Sequence, residues 1–170
     1  RLINPLTALD DIYDNASSRK VLSIGPRTEM EILHLVGVGV LLENIKALDL
    51  ISNSPWIDMG DMHAMPYQNQ TFDITISGWV LGYSRDAQRA VDEMLRVTKS
   101  GGLVAIGCSY NPKADDLEYK GDENKIQGRI FRRASEFIDL IGSKLDSIHF
   151  QSEPKADEFG PVMLIARIRH

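Results

Sequence analysis

Short apolar runs alternate with longer stretches of helical periodicity along most of this chain, and this alternation restricts the fold more than any other feature. The first run, residues 20–25, ends in Gly-Pro and is typical of a buried strand. Similar runs predict strands at residues 45–50, 56–59, 71–77, 103–107, 147–151 and 162–168. Strands and helices in this order indicate a sheet covered by helices on both faces.

Three segments between the strands are predicted to be helices. The first follows Gly25, and Thr28 and Glu31 have the spacing of a capping box at its start. The second runs from a Ser84 cap to Lys99, just before the pair Gly101-Gly102. The apolar face of the first helix is expected to contain Met30, Leu33 and Gly37, with Ile32 and Val36 beside them. The face of the third is expected to contain Ala134, Phe137, Ile138, Ile141 and Leu145.

The connection between the last two predicted strands contains no helical pattern. It has about ten residues, too few for a usual parallel crossover, so the last strand is expected to run antiparallel. The predicted fold class is therefore α/β, with a Rossmann-like, doubly wound, seven-stranded sheet that is parallel except at its last strand. We expect a single domain over residues 1–170, an irregular segment at 1–19 and a polar loop or lid at 111–127.

Composition narrows the classes of function. The chain has 24 acidic and 19 basic side chains and a formal charge of −5, which disfavours binding to nucleic acid or to an anionic membrane. One cysteine, Cys108, cannot form an internal disulfide, and no apolar run is long enough to span a membrane. No Cys/His cluster has the spacing of a metal site. A cytoplasmic protein is expected.

In an open α/β sheet, ligands bind beyond the carboxyl ends of the strands. The turn after the first strand lacks the second and third glycines of a dinucleotide fingerprint. Glu29 and Glu31 would repel a pyrophosphate there and favour a ligand with a positive centre, while Arg27 could pair with a carboxylate. The alternative is that both glutamates only stabilise the helix terminus. Asp49, 24 residues after Gly25, suits the hydroxyls of a ribose.

Five sequence blocks lie in order between residues 20 and 108. They are Val-Leu-Ser-Ile-Gly at 21–25, Ala-Leu-Asp-Leu at 47–50, Gly-Asp-Met-His-Ala-Met-Pro-Tyr at 60–67, Phe-Asp-Ile at 72–74, and residues 90–102, which end in Arg-Val-Thr-Lys-Ser-Gly-Gly. Together they resemble the successive motifs of class I S-adenosylmethionine-dependent methyltransferases of the type 11 group. The sequence departs from that pattern at Ser23, where the family usually has an acid, and at Arg27 and Glu29, where it usually has glycines.

The resemblance implies a role for each matching position. Gly25, Pro26 and Arg27 would pass under the methionyl part of S-adenosylmethionine, and Asp49 would bind the ribose. The remaining implied contacts are Leu50, Asp61 and Met62 to the adenine, and Ser77, Gly78 and Trp79 to the methionyl group and the transferable methyl.

No catalytic residue is assigned from the sequence. The cofactor supplies the reactive methyl group, and a general base is needed only when the acceptor must lose a proton early. His63 is a weak candidate for such a base, while Trp79, Tyr83 and Tyr110 could hold an acceptor or pack under loops. Cys108 is expected to be a buried small hydrophobe.

The resulting hypothesis is a methyltransferase with a small-molecule acceptor. The alternative is an inactive methyltransferase-like domain that binds a ligand or supports an assembly. A nicotinamide-dependent oxidoreductase ranks lower, because the phosphate-compatible glycines are missing. A homodimer or a partner subunit remains open.

Overall fold

The computed structural model describes residues 1–113 and 129–170. They form a seven-stranded sheet with α-helices on both of its faces. The helices are α1 (Ile3–Leu6), α2 (Asp10–Tyr13), α3 (Met30–Gly37), α4 (Ala87–Val97) and α5 (Ala134–Ile141). The strands are β1 (Val21–Ile24), β2 (Ile45–Asp49), β3 (Asp58–Met59), β4 (Phe72–Gly78), β5 (Thr98–Tyr110), β6 (Leu145–Ser152) and β7 (Gly160–Ile168).

The strand order in the sheet is β3-β2-β1-β4-β5-β7-β6. All neighbours from β3 to β5 are parallel, whereas β7 is antiparallel to both β5 and β6. The predicted doubly wound α/β sheet with a reversed last strand is therefore confirmed. Because Ile24 pairs with Leu48 on one side and with Ser77 on the other, the carboxyl ends of β1, β2 and β4 lie level at one edge of the sheet.

Alternation of side chains along the strands divides the apolar core into two clusters. On one face, Leu22 and Ile106 join a cluster that includes Phe131 and Phe137 under α4 and α5. The other cluster lies under α1 and α3 and includes Val21, Ile74 and Ile76 on the strands. Burial on both faces explains why the strands are apolar runs without polar alternation.

The start and the buried face of α3 differ from the prediction. The helix begins at Met30, its N-cap residue is Glu29, and no side chain caps it, so the predicted Thr28–Glu31 capping box is wrong. Ile32 and Leu35 are the buried residues of α3. Met30, Leu33 and Val36, which were expected on the apolar face, are exposed, and the carboxylate of Glu31 is hydrogen-bonded to Ser23 on β1.

Three further segments differ from their predicted form or lie outside the structure. Asp86 caps α4, since its side chain accepts a hydrogen bond from the amide of Arg89, and Ser84 does not. Residues 1–19, predicted to be irregular, contain α1, α2 and a short 3-10 turn, Ala16–Ser18. In the predicted polar loop at 111–127, residues 114–127 lie outside the described residues.

Candidate functional site

A tight turn follows β1 and is fixed to the end of β2. Gly25 has a φ of 72°, a left-handed conformation that favours glycine, and its amide donates to the carbonyl of Leu48 at 2.8 Å. Arg27 is also left-handed, with a φ of 57°, although it carries a side chain. The amide of Arg27 donates to Oδ2 of Asp49 at 3.0 Å, and this bond holds the strained turn in place.

Asp49 ends β2 beside that turn. Its Oδ1 accepts a hydrogen bond of 3.4 Å from the amide of Ile51, and its Oδ2 accepts the amide of Arg27. A carboxylate oxygen can accept more than one hydrogen bond, so Asp49 keeps acceptor capacity for two adjacent hydroxyls. Leu50 and Ile51, which follow it, are exposed apolar side chains, with 63% and 66% of their surfaces accessible. A polar acceptor thus lies beside an apolar surface, as the binding of a nucleoside requires.

Val80 covers the Gly25 turn. A Cβ atom built on Gly25 would lie 2.5 Å from Cβ of Val80 and 2.6 Å and 2.8 Å from its methyl carbons. The cavity at this point is only about 30 Å³ in volume, and it is lined by Gly25, Asp49, Leu50 and Met62 together with Val80. Pockets that hold cofactor-sized ligands are on the order of 300–1,000 Å³. The cavity beside Asp49 is therefore much smaller than such a pocket.

Asp61 belongs to a chain of hydrogen bonds that runs away from this cavity. Its Oδ1 lies 2.5 Å from Nδ1 of His63, its Oδ2 accepts from Arg85 at 2.7 Å, and Nε2 of His63 lies 2.7 Å from Oγ of Ser84. Burial opposes the ionisation of Asp61, but the His63 amide, the Arg85 guanidinium and the His63 ring outweigh it and lower the pKa of Asp61 to about 2. Asp61 is therefore a charged hydrogen-bond acceptor whose two oxygens are already bonded to His63 and Arg85.

The end of β4 contributes Ser77, Gly78 and Trp79. The hydroxyl of Ser77 is buried and has no hydrogen-bond partner among the described residues. Trp79 has a φ of 63°, and its indole Nε1 donates to Oγ of Ser109 at 2.8 Å. An orphaned hydroxyl and a strained aromatic residue at the same strand end are typical of a site that contacts a ligand.

Glu31 reaches the same edge of the sheet from α3. Its Oε1 accepts a hydrogen bond of 2.5 Å from Oγ of Ser23, and its Oε2 lies 3.0 Å from the position that a Cβ atom on Gly78 would take. Burial raises the pKa of Glu31, although the hydrogen bond from the Ser23 hydroxyl acts in the opposite direction. A cleft of about 570 Å³ opens beside it, with Pro26, Thr28 and Leu33 in its lining.

The structure brings some of the predicted site residues together and separates others. Gly25, Asp49, Leu50 and Met62 line one cavity. Pro26 lines the neighbouring cleft, Arg27 is exposed, and the carboxylate of Asp61 is bound by His63 and Arg85. Ser77, Gly78 and Trp79 follow one another at the end of β4.

Sequence reasoning did not assign Val80 or the link between His63 and Ser84 to the site. Val80 lies next to Trp79 in the sequence, but nothing in its local pattern indicates a contact with Gly25, 55 positions earlier. For Glu31, the sequence leaves open a position facing a ligand with a positive centre or a purely helix-stabilising role, and it does not predict a contact with Ser23. Its eight-residue separation from Ser23, across the turn, was the available signal for a contact.

The remaining candidate residues from the sequence are Cys108, Tyr110 and Tyr83. Cys108 is buried as predicted, and burial raises the pKa of its thiol to about 12, so it is a protonated thiol at neutral pH and not a nucleophile. The hydroxyl of Tyr110 donates to the carbonyl of Ala156 at 2.8 Å, whereas Tyr83 is exposed.

Within residues 1–113 and 129–170, no group of three or more His, Cys, Asp or Glu side chains could hold a metal ion. The helices of this part of the chain are all too short or too polar to cross a membrane.

Comparison with known proteins supports this architecture. Residues 30–106 match a family described as a methyltransferase domain. The chain is 26% identical to norajmaline N-methyltransferase of Rauvolfia serpentina over an alignment that covers 93% of this chain and 60% of that enzyme. The chain therefore spans less than two thirds of the length of this relative.

Solved structures share the fold at low sequence identity. An S-adenosylmethionine-dependent methyltransferase from Mesorhizobium loti has a TM-score of 0.71 at 12% identity, with 97% of this chain and 96% of that chain covered. A putative methyltransferase in complex with the Haloferax volcanii Trm112 methyltransferase activator has a TM-score of 0.70 at 13% identity, with 100% and 98% covered. The [4+2]-cyclase SpnF has a TM-score of 0.65 at 16% identity, with 94% and 81% covered.

Proposed function

We propose that the chain is a class I S-adenosylmethionine-dependent methyltransferase, which binds S-adenosylmethionine at the carboxyl ends of β1, β2 and β4 and methylates a small molecule. The observation that carries the proposal is the shared cavity of Gly25 and Asp49, which pairs a left-handed glycine turn with a carboxylate at the end of the next strand. This arrangement suits a nucleoside.

In the proposed complex, each wall of the cavity contacts a different part of the cofactor. Asp49 accepts hydrogen bonds from the ribose hydroxyls, while the exposed side chain of Leu50 and the buried side chain of Met62 contact the adenine. The charged Asp61 fixes the loop after β3 through its hydrogen bonds to His63 and Arg85. Gly25, Pro26 and Arg27, with Ser77, Gly78 and Trp79, surround the methionyl part.

The cofactor would supply an electrophilic methyl group, so the protein has to align the acceptor and exclude water. Trp79, at the end of β4, is placed to contact the acceptor beside the methionyl end. We assign no general base. The side chain of Val80 has to move before the cofactor enters.

The proposals for the acceptor class and for a partner subunit rest on the comparisons with known proteins. The name of norajmaline N-methyltransferase identifies a small-molecule acceptor for that enzyme, and we extend only that class to this chain. The Haloferax volcanii structure holds an activator protein together with the methyltransferase. A partner subunit or a second copy of this chain is therefore part of the proposal for how the acceptor site is completed.

Calorimetric titration with S-adenosylmethionine, S-adenosylhomocysteine and NAD tests the proposal. We expect saturable binding of the first two ligands, no binding of NAD, and at least tenfold weaker binding after Asp49→Ala. Asp14→Ala is the matched control, because Asp14 is exposed and precedes β1. A folded protein that binds none of the three ligands would contradict the proposal. Methyl transfer is then measured as the release of S-adenosylhomocysteine in the presence of candidate acceptors.

A domain that binds a ligand without methyl transfer is the second candidate. The observation in its favour is the small cavity under Val80, together with a left-handed Arg27 where glycine is the favoured residue. The [4+2]-cyclase with this fold bears the name of a different reaction. Binding of S-adenosylmethionine without release of S-adenosylhomocysteine, across all acceptors tested with a partner present, would favour this candidate.

A further inference from the structure

A serine, a histidine and an aspartate form one hydrogen-bonded row near the start of α4. Oγ of Ser84 lies 2.7 Å from Nε2 of His63, and Nδ1 of the same imidazole lies 2.5 Å from Oδ1 of Asp61. Asp61 and His63 follow β3, whereas Ser84 follows β4, so the fold brings the three together from two separate loops. The order of serine, histidine and carboxylate is that of the hydrolytic triads, which are recognised by their geometry and not by sequence position.

The charge of Asp61 determines where the protons of this row lie. Burial opposes its ionisation, but the His63 amide and the Arg85 guanidinium lower its pKa to about 2, so Asp61 only accepts hydrogen bonds. Nδ1 of His63 therefore carries the proton between them. In the neutral imidazole Nε2 is then an acceptor, and the hydroxyl of Ser84 donates to it. Oγ of Ser84 also accepts a hydrogen bond of 3.1 Å from the amide of Asp86, so the serine has a base at its proton and a donor at its oxygen.

Ser84 lines a cleft that shares no lining residue with the cavity proposed for the cofactor. This cleft has a volume of about 660 Å³, which is in the range of small-molecule sites, roughly 300–1,000 Å³. Ser84 itself is 5% exposed and His63 is 6% exposed, so the cleft reaches the serine while water is largely excluded from the imidazole. Ile130 and Leu140 give the cleft apolar walls that suit a short acyl chain.

Two backbone amides in the same cleft are free to bind an oxygen. Ala87 and Gln88 are the first two residues of α4, and both line the cleft. The first amides of a helix have no partner within the helix, and among the described residues these two form no other hydrogen bond. Amides in this position can stabilise the negative oxygen that develops when a hydroxyl adds to a carbonyl group.

We propose that Ser84, His63 and Asp61 form a hydrolytic site for esters of short carboxylic acids, an activity separate from the proposed methyl transfer. Oγ of Ser84 bonds to the carbonyl carbon while its proton passes to Nε2 of His63. His63 gives this proton to the departing alcohol as the ester C–O bond breaks, which leaves the acyl group on Ser84. Water then adds to the acyl carbon, its proton passes to His63, and Ser84 recovers that proton as the acid is released. Asp61 is a positioning residue that holds the imidazole in the required tautomer.

Hydrolysis of p-nitrophenyl acetate and p-nitrophenyl butyrate, measured as release of p-nitrophenolate without S-adenosylmethionine, tests the proposal. We expect Ser84→Ala and His63→Gln each to lower kcat/KM at least about 100-fold. The matched control is Ser147→Ala. Oγ of Ser147 also lies close to a histidine nitrogen, 3.2 Å from Nε2 of His149, but no carboxylate of the described residues bonds to that imidazole. The control should hydrolyse both esters at the wild-type rate.

Covalent labelling tests the same serine in the wild-type chain and so does not depend on the folding of a variant. A fluorophosphonate reacts with a serine hydroxyl that an adjacent base activates. Mass spectrometry of the peptides should place the label on Ser84. In Asp61→Asn, with its fold checked by thermal melting, the labelling of Ser84 should slow at least about tenfold, because the imidazole loses its orienting charge.

Two results would overturn the inference. One is a folded wild-type chain in which Ser84 stays unlabelled, and the other is ester hydrolysis that continues unchanged in Ser84→Ala. Neither assay contains S-adenosylmethionine, so these results would leave the proposed function standing. Failure of the calorimetric titration with S-adenosylmethionine would likewise leave the hydrolytic site untouched.

Discussion

The side chain of Val80 lies so close to Gly25 that a single added carbon on the glycine would come within 2.5 Å of Cβ of the valine. Gly25 follows β1, and Val80 follows β4 by two residues, so the contact joins the turn after one strand to the loop after its neighbour. Val80 also lines the cavity beside Asp49, which has a volume of about 30 Å³. Val80 therefore lies beside both the glycine turn and the proposed cofactor site.

Replacing Gly25 by alanine should destabilise the protein. The left-handed φ of 72° costs a non-glycine residue roughly 1–2 kcal/mol, and the added methyl group collides with Val80. We expect the free energy of unfolding in urea to fall by at least about 1 kcal/mol. Gly37→Ala is the control, because Gly37 lies in α3, has no atom within 4 Å of an added Cβ, and should be neutral or more stable by up to about 1 kcal/mol. Equal losses in both variants would contradict this prediction.

Shortening Val80 should favour ligand binding. In Val80→Ala the two methyl carbons that lie at 2.6 Å and 2.8 Å from the Gly25 Cβ position are removed, and the cavity enlarges. We expect the Kd for S-adenosylhomocysteine to fall about fivefold, which corresponds to about 1 kcal/mol. Calorimetry measures the change, and an unaltered or higher Kd in a folded variant would show that Val80 does not restrict the site.

The pH dependence of stability should report on Asp61. Its pKa is about 2 in the folded chain, below the ordinary value of 3.8, so the charged form stabilises the folded state above about pH 4, and this stabilisation is lost as the pH falls toward 2. Asp61→Asn should cost about 1–2 kcal/mol at pH 7 and progressively less below pH 4. Melting temperatures from pH 7 to pH 3 measure the difference, with Asp14→Asn as an exposed control. A difference that stays constant over this range would refute the assignment.

Two neighbouring hydroxyls on β4 should respond in opposite directions. The hydroxyl of Ser77 is buried without a partner, so Ser77→Ala should raise the free energy of unfolding by about 1 kcal/mol. The hydroxyl of Thr75 is equally buried but lies 2.8 Å from that of Thr98, so Thr75→Val should lower it by about 1 kcal/mol. Urea unfolding measures both. A loss of stability in Ser77→Ala without ligand would mean that this hydroxyl has a partner after all.

The strands could be predicted from the sequence because burial on both faces leaves continuous apolar runs, as at Val21–Ile24 and Phe72–Gly78. β5 is longer than predicted and begins at Thr98. Lys99, Ser100 and the following pair of glycines have no strand pattern, yet Thr98 pairs with Phe72 across the sheet. Local patterns do not report such pairing, because the partner is distant in the sequence.

The ends of the helices were harder to predict, because several side chains could cap them. Thr28 and Glu31 have capping-box spacing, but Glu31 bonds to Ser23 instead and α3 starts at Met30. Ser84 is a good capping residue by type, yet its hydroxyl accepts from the amide of Asp86 and lies beside His63, and Asp86 caps α4. In both cases the side chain that the local pattern predicts to cap the helix forms a tertiary hydrogen bond instead.

Only part of the candidate site could be predicted from the sequence. Gly25 and Asp49 could be located, because each follows a strand whose end the apolar pattern defines. The contact of Val80 with Gly25 and the contact of Glu31 with Ser23 depend on how α3 and the loop after β4 pack on the sheet edge. Packing of this kind is decided by distant residues and leaves no periodic signal.

The position of β7 between β5 and β6 affects how the chain assembles during synthesis. β6 is made before β7, but β7 is its partner in the sheet, so β6 cannot join the sheet until residues 160–168 have left the ribosome. The interior strand is thus the last of the seven to be translated. A nascent chain arrested before residue 160 would expose the side of β5 that β7 covers, and it would depend on a chaperone or on continued translation to avoid pairing with another chain.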